Sequence, residues 1–104
     1  MSNRLYHYRG KIVRVVDGDT VDMLIDMGFS VFTKQRVRLN RINAPEGKMT
    51  EAHKYLIKIA ESDDIIIKTT KEDSFGRWLG DLYLEDTCIN DQMVHTGLAE
   101  WYRR

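Results

Sequence analysis

Val15-Val16-Asp17-Gly18-Asp19-Thr20-Val21 is a hairpin written in residues. Asp-Gly between alternating apolar positions is the strongest short-range signal for two antiparallel strands joined tightly, with Gly18 expected to supply a positive φ. Outward from it, Gly10 to Asp17 reads as the first strand, with Val13 and Val15 in phase and Ile12, Arg14 and Val16 on the opposite face. Thr20 to Asp26 is the return strand, placing Val21, Met23 and Ile25 on one face until Gly28 breaks it. From Ser30 to Asn40, Gln35, Val37 and Leu39 alternate with Lys34, Arg36 and Arg38, a third strand. Asn43-Ala44-Pro45-Glu46 then turns into a helix expected from Lys48 to Glu61, where Ala52, Tyr55, Leu56, Ile59 and Ala60 share one face. Asp63 to Thr70 is a buried strand, Ser74 to Arg77 a turn, and Trp78 to Leu84 a fifth strand. Asn90 suits the N-cap of a short helix running to about Thr96, and Gly97 its left-handed end. Three strands, a helix, two strands and a helix make an α+β, mainly β chain: a five-stranded OB-fold-type Greek-key barrel with two helices.

At 104 residues the chain holds one domain, residues 1–104, with 1–8 an N-terminal arm and 100–104 a short tail. A 42% hydrophobic content supports a packed core and excludes a disordered chain. No apolar run approaches a membrane span, and Met1 to Tyr8 lacks the apolar stretch of a secretory signal, so a cytoplasmic protein is expected. Cys88 stands alone, which excludes an internal disulfide and a cysteine-built metal knuckle. Formal net charge is zero, but residues 1–49 carry nine Lys/Arg against five Asp/Glu and residues 50–104 seven against eleven. Lys34, Arg36, Arg38 and Arg41 could therefore form one basic face on a neutral chain.

Several polar residues have both an ordinary and a chemical reading. Asp17 and Asp19 bracket Gly18; one carboxylate serves the turn and the other, Asp19, is surplus. Arg38 either projects from the outer face of its strand or points into a cleft, where its planar fork fits a phosphate. Asn43 and Glu46 either open the helix, with Pro45 in its first turn, or belong to a cluster of oxygen ligands for a hard divalent cation. Arg77 is a turn residue or a second phosphate ligand. His7, His53 and His95 share no ligand spacing, and His53 falls on the polar side of the helix. Two guanidiniums, a carboxylate free to act as base and an oxygen-lined cation site are together the parts needed for phosphodiester hydrolysis.

The sequence resembles the staphylococcal nuclease (thermonuclease) family from about Gly10 to Ala99, in Val15 to Val21, Val37-Arg38-Leu39, Ile42-Asn43-Ala44-Pro45-Glu46, Phe75-Gly76-Arg77-Trp78-Leu79-Gly80, and Ile89-Asn90 leading to Gly97-Leu98-Ala99. The resemblance implies a Ca²⁺-dependent nuclease acting on DNA and/or RNA, with preference for single-stranded or loosened duplex, leaving 3′-phosphate and 5′-hydroxyl ends. It casts Asp19, the Asn43 side chain and the Ala44 backbone carbonyl as Ca²⁺ ligands, with Asp17 and Thr20 supporting them from behind. Glu46 would hold the attacking water and act as general base, and Arg38 and Arg77 would grip the phosphate. Phe75, Trp101 and Tyr102 are candidates to stack on a base, with core or edge packing the alternative for each.

Three departures from the family pattern matter. Asn43 stands where many members have Asp, so weaker Ca²⁺ binding with chemistry intact is expected. Ser74 replaces a nucleotide-contacting Lys, and Arg104 falls short of a further C-terminal helix. The rival reading is a non-catalytic OB-type module that binds single-stranded nucleic acid or a protein partner, which would have no need of Asp19, Arg38, Glu46 and Arg77 together. A monomer without membrane association is expected, in the manner of phage- or plasmid-borne members that are not exported.

Overall fold

The first strand hides Ile12 and Val15, three positions apart, a spacing that a regular strand cannot put on one face. The computed structural model, which describes residues 6–47, 49–72 and 76–102, shows how this happens. β1 (Tyr6–Asp17) pairs with β2 (Thr20–Gly28), and the register slips between Ile12 and Arg14 and again between Val15 and Asp17. Each slip adds one residue to β1 and turns its side chains over. Val13 is therefore exposed, against the expected phase, while Ile12 and Val15 both reach the core. β2 keeps its alternation, and Val21, Met23 and Ile25 are fully buried.

The strand begins at Tyr6 rather than Gly10, because Tyr6 to Gly10 pair with β5 (Ile65–Glu72). β2 turns into β3 (Val31–Leu39) through Gly28, Phe29 and Ser30, all with positive φ. β3 pairs antiparallel with β2 along its length. Its last three residues also pair parallel with β6 (Trp78–Leu84): Val37 with Trp78, Arg38 with Leu79 and Leu39 with Gly80. The order β3-β2-β1-β5-β6 with β3 returning to β6 closes a five-stranded barrel, the expected architecture. Three two-residue strands were not expected: β4 (Ile42–Asn43), β7 (Thr87–Cys88) and β8 (Glu100–Trp101). β4 and β8 form a small ladder of their own.

α1 (Glu51–Ile59) starts later than Lys48 because Thr50 is its cap, the hydroxyl accepting from the His53 N–H at 3.1 Å. Pro45 and Glu46 thus lie in an extended segment before the helix, not in its first turn. Ala52 and Leu56 face the core as expected; His53, expected on the polar side, is buried as well. Its Nδ1 accepts from the Met49 N–H at 3.5 Å, and its Nε2 has no hydrogen-bond partner among the described residues. Gly18 is needed for a different reason than the hairpin suggested. Its φ is not positive; a Cβ there would stand 2.8 Å from that of Ala52 and 3.1 Å from that of Ala44. The glycine lets α1 and the Ala44 segment close onto the β1–β2 turn.

α2 (Ile89–His95) is capped by Cys88 without a side-chain bond, so Asn90 is not the N-cap. It is fully buried instead. Its Oδ1 accepts from the Leu82 N–H at 3.0 Å, and its Nδ2 donates to the carbonyls of Asn40 at 2.9 Å and Gly80 at 3.1 Å. One amide thereby joins α2, β6 and the turn after β3. Gly97 ends the helix region with φ +81, as expected. Among the described residues no helix is long and apolar enough to cross a membrane.

Asn90→Ala leaves the buried Leu82 N–H without an acceptor and two carbonyls short of a donor. The expected loss is about 3 kcal/mol of stability, with a fall in melting midpoint of more than about 10 °C by circular dichroism. A loss under about 1 kcal/mol in urea titration would mean that these bonds contribute little.

Candidate active site

The end of the barrel where β1 turns into β2 and β3 meets β6 gathers the polar residues. Asp19 and Arg38 are both buried, which for a carboxylate and a guanidinium demands partners on nearly every polar atom. Arg38 Nη1 donates to the carbonyls of Leu39 at 2.7 Å and Ile42 at 2.8 Å. Its Nη2 donates to Asn43 Oδ1 over 3.4 Å, and Nη1 lies 3.7 Å from Asp19 Oδ2. Asp19 Oδ2 accepts from the Ala44 N–H at 3.1 Å, and Oδ1 from the Thr20 hydroxyl at 3.1 Å. Arg38 thus does not project from the outer face of its strand, and Asp19, Thr20, Arg38, Asn43 and Ala44 converge.

Asp17 serves the neighbouring loop. Its Oδ1 accepts from the Gly47 N–H at 3.1 Å, holding the segment that carries Glu46 against the hairpin. Glu46 and Asn43 are both exposed, and of the two it is Asn43 that reaches Arg38. Arg77 is half-buried and immediately precedes β6, whose Leu79 lies beside Arg38; the two arginines enter on neighbouring strands. Trp101 and Tyr102 are exposed, each with an arginine at its ring: Arg41 5.3 Å from the Trp101 centroid and Arg38 5.7 Å from that of Tyr102. Phe75 and Ser74 lie outside the described residues.

Arg41, which the sequence placed only in a basic face, has a structural role that sequence reading missed. It occupies the turn between β3 and β4 with φ +71, a conformation unfavourable for a side chain with a Cβ. Its Nη2 donates to Asp81 Oδ1 and to Asp91 Oδ1, each at 2.8 Å, and its carbonyl accepts from the Tyr102 N–H at 2.7 Å. Burial works against its charge, but the carboxylates of Asp81 and Asp91 outweigh burial and hold its pKa above the ordinary arginine value. The turn joining Arg38 to Asn43 is in this way moored to β6, α2 and the C-terminal strand. The only sequence signal was a charged residue directly after the strand's alternation ends, which by itself reads as surface.

The expected basic face is not formed by these arginines. Arg36 bonds Asp22 at 2.8 Å, and that hydrogen bond lowers the Asp22 pKa; Arg38 and Arg41 have the carboxylates already named. Among the described residues no three His, Cys, Asp or Glu side chains come together in a metal-binding group. Oxygen donors for a hard cation are instead a mixed set: one carboxylate, one amide oxygen and backbone carbonyls. Asp19 Oδ1 is bonded to a hydroxyl that can rotate away, and Asn43 Oδ1 is held by one long bond, so both fit such an ion.

A closed five-stranded barrel with Arg38 and oxygen donors gathered at one end defines an OB-type domain. The family model described as staphylococcal nuclease homologue matches residues 36–104. The chain belongs to that family. It is 33% identical to Protein ParB of Escherichia coli over 91% of this chain and 58% of that protein. It is 32% identical to a micrococcal nuclease of Shigella flexneri over 92% of this chain and 59% of that one. With the staphylococcal-like nuclease CAN1 of Arabidopsis thaliana, identity is 38% over 66% of this chain and 22% of the plant protein. The chain thus spans less than two thirds of the length of these relatives.

Arg41→Met and Arg41→Gly both remove the ties to Asp81 and Asp91, but glycine also relieves the left-handed backbone. Urea titration should show Met less stable than Gly by about 1 kcal/mol. Against wild type, Met should lose about 1–2 kcal/mol with the two pairs, and Gly about 0–1, because the relieved backbone offsets part of that loss. Equal stabilities of the two variants would mean that the turn is not strained.

Proposed function

We propose that the domain is a Ca²⁺-dependent nuclease that hydrolyses phosphodiester bonds of DNA and/or RNA, in single strands or loosened duplex. The observation that carries this reading is the buried Asp19–Arg38 pair with Asn43 at its mouth. A binding surface does not require a guanidinium and a carboxylate sunk side by side in a barrel end, because both are costly to bury. Relatives named micrococcal nuclease and staphylococcal-like nuclease support the same class of activity.

In this reading Arg38 and Arg77 hold the phosphate. Nη1 of Arg38 is committed to carbonyls and fixes the plane of the fork, which leaves the Nη2 edge for phosphate oxygens. Charge gathering on those oxygens as water adds to phosphorus meets two permanently charged groups already in position. Glu46 takes the proton of that water from the exposed loop tethered by Asp17. The bond to O5′ breaks, the departing oxygen takes a proton from solvent water, and a 3′-phosphate and a 5′-hydroxyl are left. Asp19, Asn43 and the Ala44 carbonyl would hold Ca²⁺, Glu46 would reach it through water, and Thr20 would steady Asp19. Bound there, the ion supplies positive charge beside the phosphate. Tyr102 and Trp101 border the same end and are available to a base.

Purified protein should cleave single-stranded DNA or RNA with Ca²⁺ and not with EDTA. Glu46→Gln, on an exposed loop, should lower kcat by about 10²–10³ without altering the circular dichroism spectrum, and Arg38→Ala should lower it as far or further. A folded, Ca²⁺-supplied wild type that cleaves neither nucleic acid, yet retards single strands on a gel, would establish the binding module instead.

Asn43→Asp adds a second carboxylate to the ion's donor set. The Ca²⁺ concentration for half-maximal activity should fall about tenfold while saturated kcat stays within a few-fold. An unchanged Ca²⁺ requirement would remove Asn43 from the ligand set.

A further inference from the structure

We infer that the groove beside Asn43 is a nucleobase subsite that selects guanine through Glu100. This deepens the nuclease reading and rests on Arg38 as the phosphate ligand. The groove has a volume of about 250 Å³ and runs between Asn43-Ala44-Pro45 and the connection from Gly97 to Glu100. Ala44, Leu98 and Ala99 give the lining an apolar part, which suits the face of a flat ring, beside polar surface that suits its edge. At this size it takes one base and excludes a base pair.

The walls are held in place before any ligand arrives. Leu98 and Ala99 donate their N–H groups to the Met93 carbonyl at 2.8 and 3.2 Å, and Gly97 donates to Val94 at 3.1 Å. On the other side Ala44 is tied to Asp19. Asn43 and Glu100 are directly opposite each other in the β4–β8 ladder, and both are exposed. Directly opposite residues project to the same face of a ladder, so an amide and a carboxylate stand together at the rim. Asn43 also reaches Arg38, which makes the groove continuous with the phosphate site.

The chemistry of the rim chooses the base. A carboxylate offers two acceptors side by side and no donor. Guanine alone presents two adjacent donors, N1–H and an N2–H, on its Watson–Crick edge, and so meets Glu100 with a paired set of bonds. Thymine and uracil place carbonyl oxygens on both sides of their single N–H, which the carboxylate repels. The same negative charge pushes phosphates away, so a strand is steered base-inward with its backbone along Arg38. The edge is free to be read only in unpaired nucleic acid.

The test uses two readouts on wild type and Glu100→Gln, a surface substitution of equal size. One is titration with guanosine and thymidine 5′-monophosphates, followed by the amide NMR signals of Leu98 and Ala99. The other is cleavage of single-stranded oligonucleotides carrying one guanine or one thymine at each position around the cut. Guanylate should bind about tenfold more tightly than thymidylate, with shifts at Leu98 and Ala99, and one flanking position should show a similar guanine preference. Glu100→Gln should remove most of both. Cleavage without base preference, with guanylate and thymidylate bound alike, overturns the subsite and leaves the nuclease reading standing. Guanine-selective binding lost in Glu100→Gln, in a protein that cleaves nothing, supports the subsite and overturns the nuclease.

Discussion

A guanidinium can leave water only if its N–H groups are answered, and the burial of Arg38 imposes that condition on one end of the barrel. Two answers come from the carbonyls of Leu39 and Ile42, on either side of the turn that follows β3. The turn must therefore fold back around the side chain that precedes it. That path puts Arg41 in a left-handed conformation, which its ties to Asp81 and Asp91 offset. It also brings the Asn40 carbonyl to Asn90 and the Ala44 N–H to Asp19. A single buried charge thus organises residues 38–44 from within, while β6 and α2 hold them from outside.

The distribution of charge along the chain acquires a meaning in this light. The surplus of Lys and Arg in residues 1–49 is matched largely by carboxylates of residues 50–104. Arg9 meets Asp64 at 3.1 Å, Lys11 meets Asp63 at 3.3 Å, and Arg41 meets Asp81 and Asp91. The first two pairs are well exposed and contribute little to stability. Their effect is on the field, since they offset the charges of Arg9 and Lys11 on β1.

The parts legible in the sequence were those governed by local pattern. Val21, Met23 and Ile25 alternate without interruption, and β2 has the predicted face; Asp17 to Thr20 turns as a hairpin; Gly97 takes the left-handed bend. What escaped depends on contacts distant in sequence. Nothing near Val13 announces the slip that exposes it, because the slip is a relation between β1 and β2. Gly18 looked like a turn glycine, yet the reason for it is Ala52, far along the chain. Asn90 looked like a cap because amides cap helices, and only the proximity of Leu82, Asn40 and Gly80 makes it a staple. At the site, Asp19, Arg38 and Asn43 were identifiable by residue type. Arg41 was not, since its role is set by two carboxylates that arrive with β6 and α2.

The barrel is sealed by three parallel residue pairs between β3 and β6, roughly 40 positions apart in the chain. Every other long strand pairing is antiparallel, and that of β1 with β2 closes a short loop. The hairpins are therefore the inexpensive closures in loop entropy, and the costly ones are this seam and the pairing of β1 with β5, 55–63 positions apart. Arg38 sits in the middle of that seam. A chain still emerging from the ribosome, or one whose seam has opened by a local fluctuation, has its strands but no assembled site. Closure of the barrel and assembly of its polar end thus become one event.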